Sequence, residues 1–446
     1  MATQSLSAVV QKLHDYVQQG PTDFEITILP TVMTKEMETD ELSLDESLVL
    51  MEGQFLGMDA RSLPWMTRVI RKDYKALKKK AILLDAAAGA AANDGSSTSA
   101  SSMTDVNNNA LHHHHSQILM ATNALMLVNP DHSTAWGDRR RALIATSGDW
   151  VREMQFLNLL MTQHSKAPSS WGHRKYVLQQ IVKAIVVVKE ISDDYESKLV
   201  DLVHKEIAFC SKIADKFPKN YYAWTHRRYL WSSCILPHLQ QSYHATIIVL
   251  LNQEFDALKL WLEQHISDHS AVHYLGQVLE MRLQQQQDQQ QQQHIQSSSS
   301  SLNDLSISIA HNSLNLANAL LKTHPDHESL WILRRLMVQI LFQHAQQHSV
   351  TDSAKVAILS MLEDLIDEVW TKAHFSENNR DYNISGITSV YAWSFLVWCM
   401  SQLGLGGQDR PKRLLDGLAF LQSSENKSHV YHEMWKTNGE EILFAK

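Results

Sequence analysis

The sequence predicts an all-α fold, a right-handed helical-hairpin solenoid, and three observations carry that expectation. The first is a phrase written four times: "NPDHSTAWGDRR", "KAPSSWGHRK", "FPKNYYAWTHRR" and "HPDHESLWILRR", starting at Asn129, Lys166, Phe217 and His324. The second is the spacing inside the phrase. Each copy has a Trp, then an Arg, then an apolar residue: Trp136, Arg139, Leu143; Trp171, Arg174, Leu178; Trp224, Arg227, Trp231; Trp331, Arg334, Val338. Positions i, i+3 and i+7 share one face of a helix. The third is composition, with 44% hydrophobic residues and 12 Trp against only 15 Gly and 9 Pro in 446 residues. Such a chain can bury a large helical core.

From the N-terminus, residues 1–85 read as a helical segment, and "MATQSLSAVVQKLHDYV" lacks the apolar run of a signal peptide. Residues 86–116 form a low-complexity tract expected to be a disordered insertion, because it buries too little apolar surface to offset ordering entropy. The histidines His112 to His115 fall inside it, and no metal site is assigned to them. Residues 117–345 hold five repeats. Between Trp136 and Trp171 the stretch "TSGDWVREMQFLNLLMTQHS" puts Trp150, Met154, Leu157 and Met161 on one face, giving one helix-turn-helix per period. From Trp171 to Trp224 the interval is wider and allows an extended helix or an inserted turn.

A degraded copy, "SDHSAVHYLGQVL", puts Val272 in the Trp place and Leu275 in the Arg place, with Leu279 keeping the apolar position. The Gln- and Ser-rich tract 284–301 follows it and is expected to be a second disordered insertion. Residues 346–446, with "SVYAWSFLVWCM" and "VYHEMW", read as C-terminal helices. The phrase itself suits a helix start. In "FPKNYYAWTHRR" the Pro stands just ahead of Asn220, a good N-cap. A Trp buried between stacked hairpins, with an Arg that lies over a ring or reaches acceptors next door, is what repeat stacking requires. These Trp and Arg residues are therefore assigned to the scaffold.

The formal charge of −8 and pI near 6.3 leave no electrostatic footprint of a nucleic-acid binder. Three scattered cysteines, Cys210, Cys234 and Cys399, make neither a disulfide framework nor a structural zinc site and point to a reducing, cytoplasmic setting. No stretch is long and apolar enough to span a membrane. The ending "EILFAK" has no cysteine four from the end, so this chain is not expected to be prenylated itself. HExxH, paired CxxC, GxxxxGK[ST] and nucleophile-elbow motifs are all missing.

Residues Phe217 to Trp231, Pro-Lys-Asn-Tyr, two residues, Trp, one residue, His-Arg-Arg, closely resemble the repeat of protein prenyltransferase α subunits. Tetratricopeptide arrays share the period, but their Trp is followed by Leu-Gly and Tyr. Within that family the chain is most similar to the alpha subunit repeat-containing branch, through "VNPDHSTAW", "SDHSAVHY" and the "LVLMEGQFLGM" segment near Leu48. The resemblance covers residues about 45 to 345.

It implies a crescent of hairpins around an αα-barrel β subunit that holds zinc and the lipid pocket, leaving this chain without a cofactor of its own. It also implies a polar rim near the isoprenoid diphosphate. Carried over by position, Lys166 is the group that stabilises the departing diphosphate, and Lys219, Tyr221 and Tyr222 are substrate-binding. A diphosphate gathers negative charge as its carbon–oxygen bond breaks, so fixed ammonium and phenol donors favour the transition state. Ala167 and Pro168 stand where the family has Asn-Tyr, which removes one phenol.

The implied function is the α subunit of a heterodimeric protein prenyltransferase, inactive without a β subunit of Rab geranylgeranyltransferase type. It would move an isoprenoid, geranylgeranyl ahead of farnesyl, onto a C-terminal cysteine of a protein substrate. The alternative is a non-catalytic helical-repeat adaptor.

Overall fold

A computed structural model describes residues 6–19, 25–29, 49–52, 55–60, 62–93, 100–187, 194–239, 244–293, 300–347, 350, 352–378 and 386–422. The chain divides into two compact units, Met1–His238 and Leu239–Lys446. In the first, α1 (Ala8–Gln19) precedes strands β1 (Glu25–Leu29), β2 (Val49–Glu52) and β3 (Phe55–Asp59). Helices α2 (Leu63–Asn93), α3 (Ala100–Val128), α4 (Ser133–Ala145), α5 (Trp150–Met161) and α6 (Pro168–Val187) follow. Then come α7 (Tyr195–Lys216), α8 (Tyr221–Tyr229), a π-helical stretch (Leu230–Ile235) and α9 (Leu236–Leu239). The second unit holds α10 (His244–Gln264), α11 (His269–Gln293), α12 (Ser300–Thr323), α13 (Glu328–Ala345) and α14 (Asp352–Asn378). It closes with α15 (Gly386–Trp398), a π-helical stretch (Cys399–Leu403) and α16 (Arg410–Gln422).

The architecture is an all-α solenoid of hairpins. α3 packs on α4, α5 on α6 and α7 on α8, while α10 packs on α11 and α12 on α13. Three signature helices, α4, α8 and α11, begin at a side-chain cap the sequence supplies. Asn220 accepts the Tyr222 N–H at 3.1 Å, Asp268 accepts Ser270 and Ala271 N–H at 3.1 Å, and His132 Nδ1 accepts Ala135 N–H at 3.2 Å. These bonds satisfy amides that a helix start leaves open. Pro168 opens α6, where its missing N–H costs nothing. No helix is long and apolar enough to cross a membrane among the described residues.

Three boundaries differ from the sequence expectation. Residues 1–85 are not all helical, because β1, β3 and β2 form a sheet in that order, β1–β3 parallel and β2–β3 antiparallel. The segment "LVLMEGQFLGM" holds strand β2 and most of β3, with Leu56 and Met58 buried on one face at strand period. Ile26 N–H donates to Thr162 Oγ1 at 3.0 Å and Glu25 pairs with Lys216 at 2.6 Å, tying β1 to the hairpins.

The tract 86–116 is not a disordered insertion throughout, since α2 runs into it to Asn93 and α3 starts within it at Ala100. Nor is 284–301, where α11 continues to Gln293 with Gln285 buried and α12 begins at Ser300. Ala and Gln are good helix formers, so low complexity here lengthens helices. Residues 94–99, 294–299 and the "VYHEMW" segment lie outside the described residues. The wide Trp171–Trp224 interval is taken up by long α6 and α7, of 20 and 22 residues.

Candidate functional site

Every signature residue is buried: Trp136, Arg139, Trp171, Arg174, Trp224, Arg227, Trp331 and Arg334. So are Leu143, Leu178, Trp231 and Val338, and Val272, Leu275 and Leu279 of the degraded copy. The indoles also close turns. Trp136 Nε1 donates to Pro130 O at 2.7 Å, Trp171 Nε1 to Ser165 O at 2.8 Å and Trp331 Nε1 to Pro325 O at 2.8 Å, each acceptor six residues upstream. Carbonyls in these turns then receive a bond from the following hairpin: Ser170 Oγ to Pro130 O at 3.5 Å, Asn220 Nδ2 to Ser165 O at 3.0 Å, and Ser329 Oγ to Ile266 O. Successive turns are thereby laced along one edge of each unit.

Beneath that edge runs a buried chain of charges. Arg139 grips Glu153 with two bonds, at 2.7 and 2.6 Å, and His173 Nε2 lies 2.7 Å from the same carboxylate. One hairpin on, Arg174 grips Glu206 at 2.9 and 2.6 Å, with His226 Nε2 at 2.8 Å. Each Glu thus takes the Arg of the preceding hairpin and the His of its own. Burial alone would raise both carboxyls, but the guanidinium charge and the His bond overcome it and hold each at about 2. Burial lowers both imidazoles against the raising pull of the carboxylates. His173 and His226 are therefore neutral and donate from Nε2, which leaves each Nδ1 without a hydrogen-bond partner.

The rings complete the lacing. Arg139 lies over Phe156 at 4.4 Å and Arg174 over Phe209 at 3.7 Å, while Trp136 stacks on His173 at 4.4 Å. Arg227 and Arg334 instead cover the Trp of their own turn, both at 5.0 Å.

The sequence reading missed the carboxylates. A regular interval marks them, since Glu153, Glu206 and Glu254 each stand 20 residues before the donor they receive, His173, His226 and Tyr274. In the fifth repeat the same count back from Leu333 falls on buried Ser313, whose hydroxyl donates to Ile309 O at 2.8 Å. The Arg place of the degraded copy and the Glu place of the next hairpin are lost together, so neither Leu275 nor Ser313 leaves an orphan charge. Arg334 keeps Asn318 Oδ1 at 2.7 Å, but its Nε has no partner, and burial lowers its pKa to about 10.

The residues carried over by position lie on the laced edge. Lys166 is exposed in the α5–α6 turn, directly after Ser165, and Lys219 is exposed directly before Asn220. The Asn220–Ser165 bond sets these two turns side by side. Lys219 holds a left-handed backbone, φ 59°, a strained state for a residue with a side chain. Tyr221 is 61% exposed at the start of α8, and half-buried Tyr222 meets it edge-on at 5.7 Å. Ala167, between Lys166 and the start of α6, is buried.

Among the described residues no group of three or more His, Cys, Asp or Glu is gathered closely enough to hold a metal ion. Cys210, Cys234 and Cys399 are buried, and burial pushes the Cys234 thiol up to about 12 and raises Cys399 as well. His112 to His115 lie along α3, with His114 buried.

The protein prenyltransferase alpha subunit repeat family model matches residues 150–181, 203–234 and 251–282. Those spans are the hairpins α5–α6, α7–α8 and α10–α11. Three hairpins of this chain are thus similar to the prenyltransferase alpha subunit repeat. It is 27% identical over 245 residues to protein prenyltransferase alpha subunit repeat-containing protein 1 of Danio rerio, covering 51% of this chain and 55% of that one. The human protein of the same name is 26% identical over 241 residues, covering 49% and 58%. Geranylgeranyl transferase type-2 subunit alpha of Saccharomyces cerevisiae is 21% identical over 268 residues, covering 56% and 75%. The matched region spans about half the length of the first two relatives. The third matched repeat includes Val272 and Leu275, so the degraded copy is a true member of the array.

Proposed function

We propose that this chain is the α subunit of a heterodimeric protein prenyltransferase of the cytoplasm. It scaffolds a zinc-holding β subunit of Rab geranylgeranyltransferase type and presents Lys166, Lys219, Tyr221 and Tyr222 to the isoprenoid diphosphate. The group transferred, geranylgeranyl ahead of farnesyl, passes to a C-terminal cysteine of the protein substrate.

The observation that carries this reading is the Asn220–Ser165 bond, which joins the two turns bearing the exposed lysines on one edge. Two ammonium groups on adjoining turns suit a diphosphate that gains charge as it departs. Similarity to type-2 geranylgeranyl transferase α subunits supports the choice of β partner. Only three cysteines, all buried and far apart in sequence, suit a reducing compartment.

One observation favours the second reading, a non-catalytic adaptor. Ala167 is packed and Pro168 begins the helix, so the second turn offers no phenol beside Lys166.

The test is single-turnover transfer by the reconstituted heterodimer carrying Lys166→Ala, Lys219→Ala or both. Loss of a charge-assisted contact should slow transfer by roughly ten- to a hundredfold while assembly survives. Unchanged rates in all three variants would overturn the site and leave the adaptor.

A further inference from the structure

Helix α2 carries a charge that opposes the rest of the chain. The sequence has a formal net charge of −8, yet from Arg68 to Lys80 seven lysines and arginines meet a single acid, Asp73. That carboxylate is occupied by the Ser7 N–H at 2.9 Å. Buried Met66, Ile70, Tyr74 and Leu77 fix the rotation of the helix. At about 100° per residue, Arg68, Lys72, Lys75 and Lys79 then fall in a strip about 60° wide on the opposite side, with Arg71 on its flank.

All five are exposed, and none has an ion-pair partner among the described residues. Lys78, off the strip, is the member that pairs, with Asp138 at 3.2 Å. The row is about 17 Å long. Half-buried Trp65 and 63% exposed Leu83 lie five turns apart at one rotation beside it.

Like charges three and four residues apart repel, so the row destabilises its own helix unless anions lie over it. A convex helix face has no wall with which to enclose one phosphate. It does match a plane of anionic headgroups, where each Lys or Arg adds attraction, long stems reach outward, and flanking Trp and Leu enter the interface. A folded acidic partner would need a groove shaped to the row, whereas a fluid array of headgroups supplies its own fit. We propose that Arg68, Arg71, Lys72, Lys75 and Lys79 dock the chain on an anionic lipid surface. This inference does not depend on the transfer reading.

The test is flotation of the full chain with phosphatidylcholine vesicles, with and without phosphatidylserine. Association should be at least about tenfold stronger with phosphatidylserine and should fall steeply as salt is raised. Arg68→Glu/Arg71→Glu/Lys72→Glu/Lys75→Glu should abolish it with helical content unchanged. An all-lysine version (Arg68→Lys/Arg71→Lys) should retain it, because charge and not guanidinium geometry is read. A parallel arm measures binding to a polyglutamate peptide. Equal binding to both kinds of vesicle, none to either, or capture by the peptide without vesicle binding would overturn the proposal.

Discussion

Glu206 is a carboxylate sealed between α6 and α8, neutralised by Arg174 and further bonded by His226. Glu206→Gln removes the charge and leaves the guanidinium in the core, an uncompensated buried ion that should cost about 3–5 kcal/mol in urea unfolding. Arg174→Met/Glu206→Leu should cost less than that single change, since an apolar pair leaves no orphan. The array contains its own version of this experiment at Leu275 and Ser313. A double mutant less stable than Glu206→Gln would contradict this account of the buried pair.

Lys219 is a second case where one residue holds more than its own weight. Its φ of 59° suits glycine, so Lys219→Gly should stabilise the fold by about 0.5–1 kcal/mol. If the ammonium serves the diphosphate, the same variant should slow transfer. A rise in melting temperature with unaltered transfer would show strain without use.

Hairpins are the level at which the sequence was most readable. A Trp, an Arg and an apolar residue on one face identified four of the second helices, and Val272, Leu275 and Leu279 at the same spacing identified the fifth, because large buried side chains in a fixed spacing leave a periodic trace. The first helices hid their key residue. A lone Glu on α5 or α7 looks like any solvated charge until the Arg that meets it is placed in space, and that Arg comes from another hairpin. The lysine turns were legible through resemblance alone, and the bond that joins them was not, since it links residues 55 apart. The sheet escaped because strands of four or five residues, β1 with partners 30 residues on, give little local signal.

The Glu–His layer also sets a pH dependence. His173 and His226 have folded pKa values below the ordinary 6.5, so the unfolded chain takes up more protons and stability falls as pH drops below 6.5. His14, His164 and His344, the last at about 4, act in the same direction. Glu153 and Glu206, held at about 2 against an ordinary 4.5, extend the loss below pH 4.5. Thermal unfolding from pH 7.5 to 4 (about this range) should show a steady decline. His173→Gln/His226→Gln keeps an N–H for each Glu and should flatten the upper part of it. An unchanged slope would mean that these two imidazoles are not the groups responsible.

At the scale of the whole molecule, the solenoid has side chains aimed at structure nearly everywhere and few free for chemistry. Buried Glu153 and Glu206 are each spent on an Arg and a His, the three thiols are buried, and the described residues gather no metal site. If the proposed assignment is right, the metal and the lipid pocket belong to the β subunit, and this chain alone should be folded, helical and unable to transfer an isoprenoid. Zinc chelation of the reconstituted heterodimer should then abolish transfer. Circular dichroism and melting of this chain alone should be unaffected by the chelator, because a structural metal would contribute folding energy that its removal takes away. The two readouts separate the possibilities. Transfer by rigorously β-free protein would locate chemistry in this chain, whereas a chelator-sensitive melt would reveal a metal-dependent fold, and either outcome would overturn the division of labour proposed here.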